Sequence, residues 1–415
     1  MTTSPVSAAI GNPHAPLGQR EFIVLIAALM SLQALGVDAM LPALPAIGAS
    51  LGVVGENATQ WVIASYVFGF GAMQLVYGPL ADRYGRRPVL IATMIGFVIA
   101  SIIASVAATF PLLLAARVLQ GMMSGSTRVL TTSIVRDCYQ GRTMARIMSL
   151  SQMLFFIVPV LAPTVGSAIL LVGPWRWIFW FLAIFAIVVA SWATIRMPET
   201  LKPELRRDIS VALLTSAWRQ TLTNRFSLGY ALASTAMFGS ILGYVNSSQQ
   251  LFGDVFKRPD IFPLAFAITA GAMGIMTFAN AQLVERFGTR RLSHGALLAL
   301  IAISAIHLLI ELTGNQTLVN FLALQALTMA CFGLTGSNFS AMAMEPVGHI
   351  AGTASSVQGF MTTVGGATIG IVIGQSFNGT TLPVTIGFLI VATTALVIVL
   401  ITEGGQLFTA RNVPV

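Results

Sequence analysis

Asp82-Arg83-Tyr84-Gly85-Arg86-Arg87 returns 203 residues later as Glu285-Arg286-Phe287-Gly288-Thr289-Arg290-Arg291. Both stretches run acid, Arg, aromatic, Gly, then further Arg, and each lies between two long apolar runs. A membrane chain of 415 residues that repeats itself halfway along reads as two bundles of like topology. Carriers use that arrangement to build a site at the bundle interface.

Composition supports a membrane setting. Only 9% of the residues are charged, 56% are hydrophobic and the mean hydropathy is +0.84. A soluble domain carries about 25% charged residues, so this chain lacks the charge to cover a water-facing surface. The net charge of +8 is not gathered into one basic patch, and nucleic acid is not an expected partner. The Lys and Arg residues recur in short clusters between apolar runs, as a topology signal does. Cys138 and Cys331 lie far apart in sequence, so neither a disulfide nor a metal site is expected. The first apolar run, from Phe22, is too long for a signal peptide and reads as an uncleaved first span.

A spanning helix needs about 20 apolar residues. The runs between turn signals predict twelve spans: 22–47, 58–80, 87–109, 111–135, 143–172 and 175–197, then 225–252, 261–284, 291–312, 316–344, 350–377 and 381–402. The expected division is an N-terminal tail 1–21, a six-helix bundle 22–197, a linker 198–224, a second bundle 225–402 and a C-terminal tail 403–415. On this scheme 17 of the 22 Lys and Arg residues fall on the side of the termini. Three (Arg176, Lys257, Arg258) fall on the other side, and Arg117 and Arg128 lie within span four. This bias predicts cytoplasmic termini and a bacterial inner membrane.

Gly78-Pro79-Leu80-Ala81-Asp82-Arg83-Tyr84-Gly85-Arg86-Arg87 resembles the signature loop between spans two and three of the major facilitator superfamily. The resemblance implies an all-α membrane fold of two six-helix bundles. It also implies that Asp82 contacts the start of span eleven, near 348–353, and latches the outward-open state. Gly85 permits the reversal, while Arg83, Arg86 and Arg87 stay beside the helix ends. The second copy has Thr289 where Arg86 stands, which predicts a weaker latch.

Three more stretches narrow the resemblance. Arg117-Val118-Leu119-Gln120-Gly121 matches the Arg-x-x-Gln-Gly motif of proton-coupled members. The stretch from Pro159 through Pro163 to Gly166 is similar to the antiporter motif, with Ala162 and Ser167 replacing two glycines. Asp38-Ala39-Met40-Leu41-Pro42-Ala43-Leu44-Pro45 resembles a segment of the Bcr/CflA-type drug-resistance exporters.

Charges within hydrocarbon are costly and mark function or pairing. Arg117, Gln120, Ser124 and Arg128 fall on one side of span four, over about 16 Å at 1.5 Å per residue. They are expected to line the central cavity, unless Arg128 snorkels to the boundary. Asp38 is the one acid well inside a first-half span. The expectation is that Asp38 carries a proton inward, that Arg117 modulates its affinity and that a cationic or polar substrate competes for the same charge; the alternative is a structural charge pair between spans one and four. Glu311 and Glu345 read as interfacial, and His307 as a packing residue.

The remaining cavity candidates, chosen by type and depth, are Tyr66, Phe70, Met153, Phe156, Tyr244, Asn246, Asn338 and Gln358. Aromatic and Met walls adapt to bulky, partly apolar molecules. Span eleven carries Gly359, Gly365, Gly366, Gly370 and Gly374, which suggests a helix that slides. Pro42, Pro45, Pro159 and Pro163 are expected to kink spans one and five.

The leading expectation is a monomeric, proton-driven exporter of small lipophilic or amphiphilic compounds. A transporter of one metabolite, such as a sugar or siderophore, is the alternative, and a polytopic membrane enzyme a remote one. The four histidines form no catalytic or metal-ligand spacing and no GxxxxGK[ST] loop is present, so no cofactor or nucleotide is expected.

Overall fold

The computed structural model describes residues 17–409 except 56, 140 and 207–210; the side chains at 141, 142, 145, 149, 152, 155, 156, 205, 211 and 213 are also outside the described set. Among the described residues every regular element is helical. Lipid offers the backbone no hydrogen-bond partners, so apolar runs of this length satisfy themselves as helices.

In the first half, α1 (Gln19–Asp38) ends at a break, and the chain continues through a short 3-10 turn (Leu41–Ala43) into α2 (Leu44–Ser50). Pro42 and Pro45 sit at the first positions of those two segments, where their missing N–H groups cost nothing. Then follow α3 (Trp61–Tyr84), α4 (Arg86–Ser105), α5 (Phe110–Cys138), α6 (Gly141–Val172) and α7 (Arg176–Arg196). Pro159 and Pro163 lie inside α6, which continues through both as one helix. A short helix, α8 (Val211–Thr223), lies in the linker.

The second half repeats the plan with α9 (Arg225–Gln250), α10 (Phe262–Phe287), α11 (Thr289–Leu312) and α12 (Leu318–Met344). Its fifth member is α13 (Ala351–Phe360) joined to α14 (Gly366–Gln375) by a π-helical turn, Met361–Gly365. The last is α15 (Leu382–Glu403). Starts are capped where the sequence allows: Thr109 on α5, Asn224 on α9, and a Thr317/Asn320 capping box on α12.

Nine helical segments are long and apolar enough to cross a membrane, counted by length and composition among the described residues. One of these, Leu318–Gln375, is α12 and the α13–α14 pair run together. The polar α5, and α6 with its shorter apolar stretch Ile157–Val172, fall outside that count. Twelve spanning elements result.

Both repeated loops are tight reversals. Gly85 (φ +99°) joins α3 to α4, and Gly288 (φ +80°) joins α10 to α11, a left-handed conformation that glycine adopts without strain. Within the first half, α3 and α5 approach until their backbones touch. A methyl group on Gly121 would collide with the Tyr66 carbonyl oxygen, and one on Gly69 with the Val118 carbonyl oxygen. The glycine of the Arg-x-x-Gln-Gly motif is therefore a packing requirement. Cys138 and Cys331 are both buried, on α5 and α12.

Candidate functional site

Asp38 stands at the last turn of α1, beside the break in span one. Its side chain is buried, at 7% exposure, and among the described residues it has no hydrogen bond or ion pair. α6 packs directly against the break: a methyl on Gly166 would strike the Ala39 carbonyl oxygen. The antiporter-like stretch thus touches the segment that carries the acid. Broken helices at membrane depth are tolerated where protein or a cavity surrounds them.

Arg117 is wholly buried, and its hydrogen bonds account for its charge without Asp38. Nε donates to the Val62 carbonyl (2.9 Å), Nη2 to the Gly36 carbonyl (2.7 Å) and Nη1 to Gln120 Oε1 (2.6 Å). The guanidinium also lies 4.4 Å from the Tyr66 ring centroid. Gln120 Nε2 donates onward to Ser101 Oγ (2.7 Å), which donates to the Phe97 carbonyl (2.8 Å). This chain of donors ties α1, α3, α5 and α4 together. The expected Asp38–Arg117 ion pair is not formed, because backbone carbonyls and an amide already occupy the guanidinium.

The stripe on α5 therefore divides. Gln120 and Ser124 are buried inside the first half, Ser124 donating to the Gly121 carbonyl (3.0 Å). Tyr66 and Phe70 are buried there too. These four do not line an open cavity in this conformation. Arg128 is exposed. In the second half Tyr244 reaches Thr269 Oγ1 (3.3 Å) and stacks on Phe266, joining α9 to α10. Asn338 and Asn280 exchange amide hydrogen bonds between α12 and α10. Gln358 donates to Ser227 Oγ and to the Ala343 carbonyl, joining α13 to α9 and α12. Asn246 is buried beside Gly374, and Met153 is exposed. The side chain of Phe156 lies outside the described residues. The chosen residues are thus spread over several helix contacts and do not form one pocket. Their polarity marks satisfied interiors as readily as cavity walls.

Residues that sequence reasoning passed over join the two halves. Gln60 Nε2 donates to Gln250 Oε1 (2.7 Å) and to the Gly374 carbonyl (3.0 Å). Asn57 Nδ2 donates to the Gln375 and Phe377 carbonyls (3.0 Å each), and Gln375 Nε2 returns a bond to the Asn57 carbonyl (2.8 Å). Deeper in, Gln74 Nε2 donates to Thr363 Oγ1 (2.8 Å) in the π-turn of span eleven. These amides clasp the halves at the face opposite the paired loops. A single sequence gives no sign of it, since each of these partners lies at least 190 positions away.

At the loop face, Arg86 is buried and pairs with Asp82 (2.5 Å) and with Asp137 of α5 (3.1 Å). Glu199, just beyond α7, accepts the backbone N–H groups of Arg86 (2.9 Å) and Arg87 (3.2 Å). The acid that caps a helix N-terminus here is Glu199 on α4; Asp82 is turned to Arg86 and has no hydrogen bond to α13. With the opposite face clasped, the expected outward-open contact of Asp82 with span eleven is not formed, although α3 does approach α13 where Gly78 meets Ser356. Arg87 also donates to the Thr194 carbonyl (2.8 Å), while the Arg83 guanidinium lies over the Tyr84 ring.

The second copy forms a comparable charge cluster inside its own half. Arg290 is buried and pairs with Glu403 of α15 (2.8 Å) and Glu345 beyond α12 (3.4 Å). Tyr230 Oη adds a hydrogen bond to Glu403 (2.6 Å). Glu345, read as merely interfacial, is a partner in this cluster. Glu311 accepts from Thr381 at the opposite face, and His307 packs edge-on to Phe321.

Two six-helix bundles, a broken first span with a buried acid, and contacts that close one face define a membrane carrier. The match extends to sequence and fold. The Major Facilitator Superfamily model covers residues 26–370, so the chain belongs to that superfamily. It is 32% identical over 349 residues to the multidrug resistance protein MdtL of Shigella dysenteriae, covering 83% of this chain and 86% of that one. It is 28% identical over 371 residues to an uncharacterized MFS-type transporter, YdgK, of Bacillus subtilis, covering 87% and 90%. Among solved structures, the human organic anion transporter MFSD10 superposes with a TM-score of 0.70 at 18% identity, over 93% of this chain and all of that one. The Escherichia coli xylose transporter XylE, in a partially occluded inward-open form, gives 0.72 at 14% identity, over 95% and 100%. The protein is a multi-pass membrane transporter and not an enzyme.

Proposed function

We propose that this transporter is a proton-coupled exporter of small lipophilic or amphiphilic compounds, working by alternating access between its two six-helix halves. The observation that carries the reading is Asp38: a carboxyl buried at the break of span one with no hydrogen-bond or ion-pair partner among the described residues. An unpartnered buried carboxylate is costly, so this group gains from carrying a proton in one conformation and releasing it in another. The likeness to MdtL, whose name assigns it multidrug resistance, supports efflux as the direction of transport.

In this reading the two halves are 22–197 and 225–402, joined by the linker 198–224, and the carrier acts as a monomer. The loop face is cytoplasmic, because 17 of the 22 Lys and Arg residues gather there. Arg117 acts as a positioning residue. It fixes the Gly36 carbonyl, two residues before Asp38, and so sets the geometry of the turn that presents the acid. Gly166 lets α6 pack against the same turn.

The test is growth of a pump-deficient bacterium overproducing the protein, across chemically varied toxic compounds. Resistance to lipophilic compounds is expected, and Asp38→Asn should abolish it while leaving the protein in the membrane. A flat screen together with uptake of one metabolite would favour the single-substrate alternative.

A further inference from the structure

Arg128 differs from every other arginine at comparable depth. It lies ten residues before Cys138, the last residue of α5, or about 15 Å along the axis at 1.5 Å per residue. Its side chain is exposed. Lipid cannot be what it meets, because an arginine facing hydrocarbon at this depth is prohibitive. A cleft between the halves that admits water is the surrounding this charge favours.

The surrounding pattern agrees. On the outer half of α5 the exposed residues are apolar: Leu112, Ala115 and Val118. On the loop-side half they are Arg128, Thr132 and Arg136, spaced four apart on one face. α12, the counterpart of α5 in the second half, exposes Gly336, Ser337, Ser340 and Ala341 at its loop-side end. Small polar groups leave room and add no charge.

Arg128 also lacks a counterion. Among the described residues its side chain makes no hydrogen bond or ion pair, whereas Arg86 and Arg290 each hold two acids and Arg117 holds three oxygens. The only acid described inside a first-half span, Asp38, is buried at the α1 break. No described acid forms an ion pair with Arg128.

We infer that Arg128 is an anion-recognising subsite, and that the preferred substrates are amphiphiles with an apolar body and an acidic headgroup such as a carboxylate. The inference rests on the transport reading above and names the substrate class for that site. A planar guanidinium in a partly dehydrated cleft matches a carboxylate with two parallel hydrogen bonds. Arg136, two turns nearer the loop face, extends the positive path to the mouth of the cleft. A cationic substrate would meet repulsion on this path before reaching Asp38.

The experiment is equilibrium dialysis of the purified full-length protein in nanodiscs against matched aryl and alkyl series: naphthaleneacetate, octanoate and decanoate, each beside its amide and its amine. The wild type should bind the acids about tenfold more tightly than the amides, the effect of one charge-assisted contact. Arg128→Gln should remove that margin, while Arg128→Lys should restore part of it. An unchanged melting temperature in nanodiscs shows that each variant is folded. Equal binding of acid, amide and amine by the wild type overturns the inference, as does an acid margin that survives Arg128→Gln, or no binding by any member of the series. Acid preference without export in cells would remove the efflux reading alone; export of lipophilic compounds without acid preference would remove this inference alone.

Discussion

Arg86 in the first half and Arg290 in the second sit at corresponding corners of the two bundles, just after the glycine reversals of the repeated loops. Acids from corresponding places serve them. Asp137 at the end of span four matches Glu345 beyond span ten, and Glu199 beyond span six matches Glu403 at the end of span twelve. The chain keeps the arrangement of charges and lets the letters drift by one position, from Arg86 directly after its glycine to Arg290 one residue further on. The two clusters also differ in how dry they are. Asp82 is nearly half exposed, whereas Glu403 is completely buried and shared with Tyr230. The second loop, with the poorer motif, has the drier cluster.

That contrast can be broken by mutation. Removing Arg290 strands a buried carboxylate, so Arg290→Ala should cost about 3–5 kcal/mol. Arg86→Ala, whose acids reach water, should cost less, and melting temperatures in detergent should rank the two in that order. Next in size is the reversal itself. At Gly85 a methyl group meets both a left-handed backbone and the Glu199 carboxylate, while at Gly288 it meets only the backbone. Gly85→Ala should cost about 1–3 kcal/mol and Gly288→Ala visibly less, by the same measurement.

A smaller effect is expected at the opposite face. Gln60→Leu removes the bonds to Gln250 and Gly374, each worth about 1 kcal/mol, and should raise labelling of a cysteine placed at the outer end of α3. Unchanged labelling would show that the amide clasp does not hold that face closed. The smallest effect sharpens the comparison most. Thr289→Arg restores the letter of the first copy, yet should change stability by less than about 0.5 kcal/mol, because Arg290 already holds both acids.

The fold was legible in the sequence because its determinants are local. Apolar run length, the glycine reversals and the Pro42/Pro45 break each act over a few residues, and each is found where the pattern places it. The side-chain partners were less legible. One face of α5 is polar from Arg117 to Arg128, but periodicity does not say what that face meets. Arg117, Gln120 and Ser124 are spent on carbonyls and hydroxyls inside the first half, while Arg128 alone stands open. One stripe thus passes from packed interior to an exposed end. The clasp of Asn57, Gln60, Gln250 and Gln375 was invisible for a related reason: amides at helix ends become a site only when distant segments meet.

Both halves share the corner clusters, but the buried acid of span one has no described counterpart in span seven, where Asn246 and Ser247 are uncharged. The account therefore assigns the proton to the first half alone. Proteoliposomes loaded with a compound to which the wild type confers resistance, and subjected to an imposed pH gradient, measure this directly. Asp38→Asn should exchange the compound across the membrane at equilibrium but no longer accumulate it in response to the gradient. Gradient-driven accumulation at the wild-type level in that variant would contradict the account.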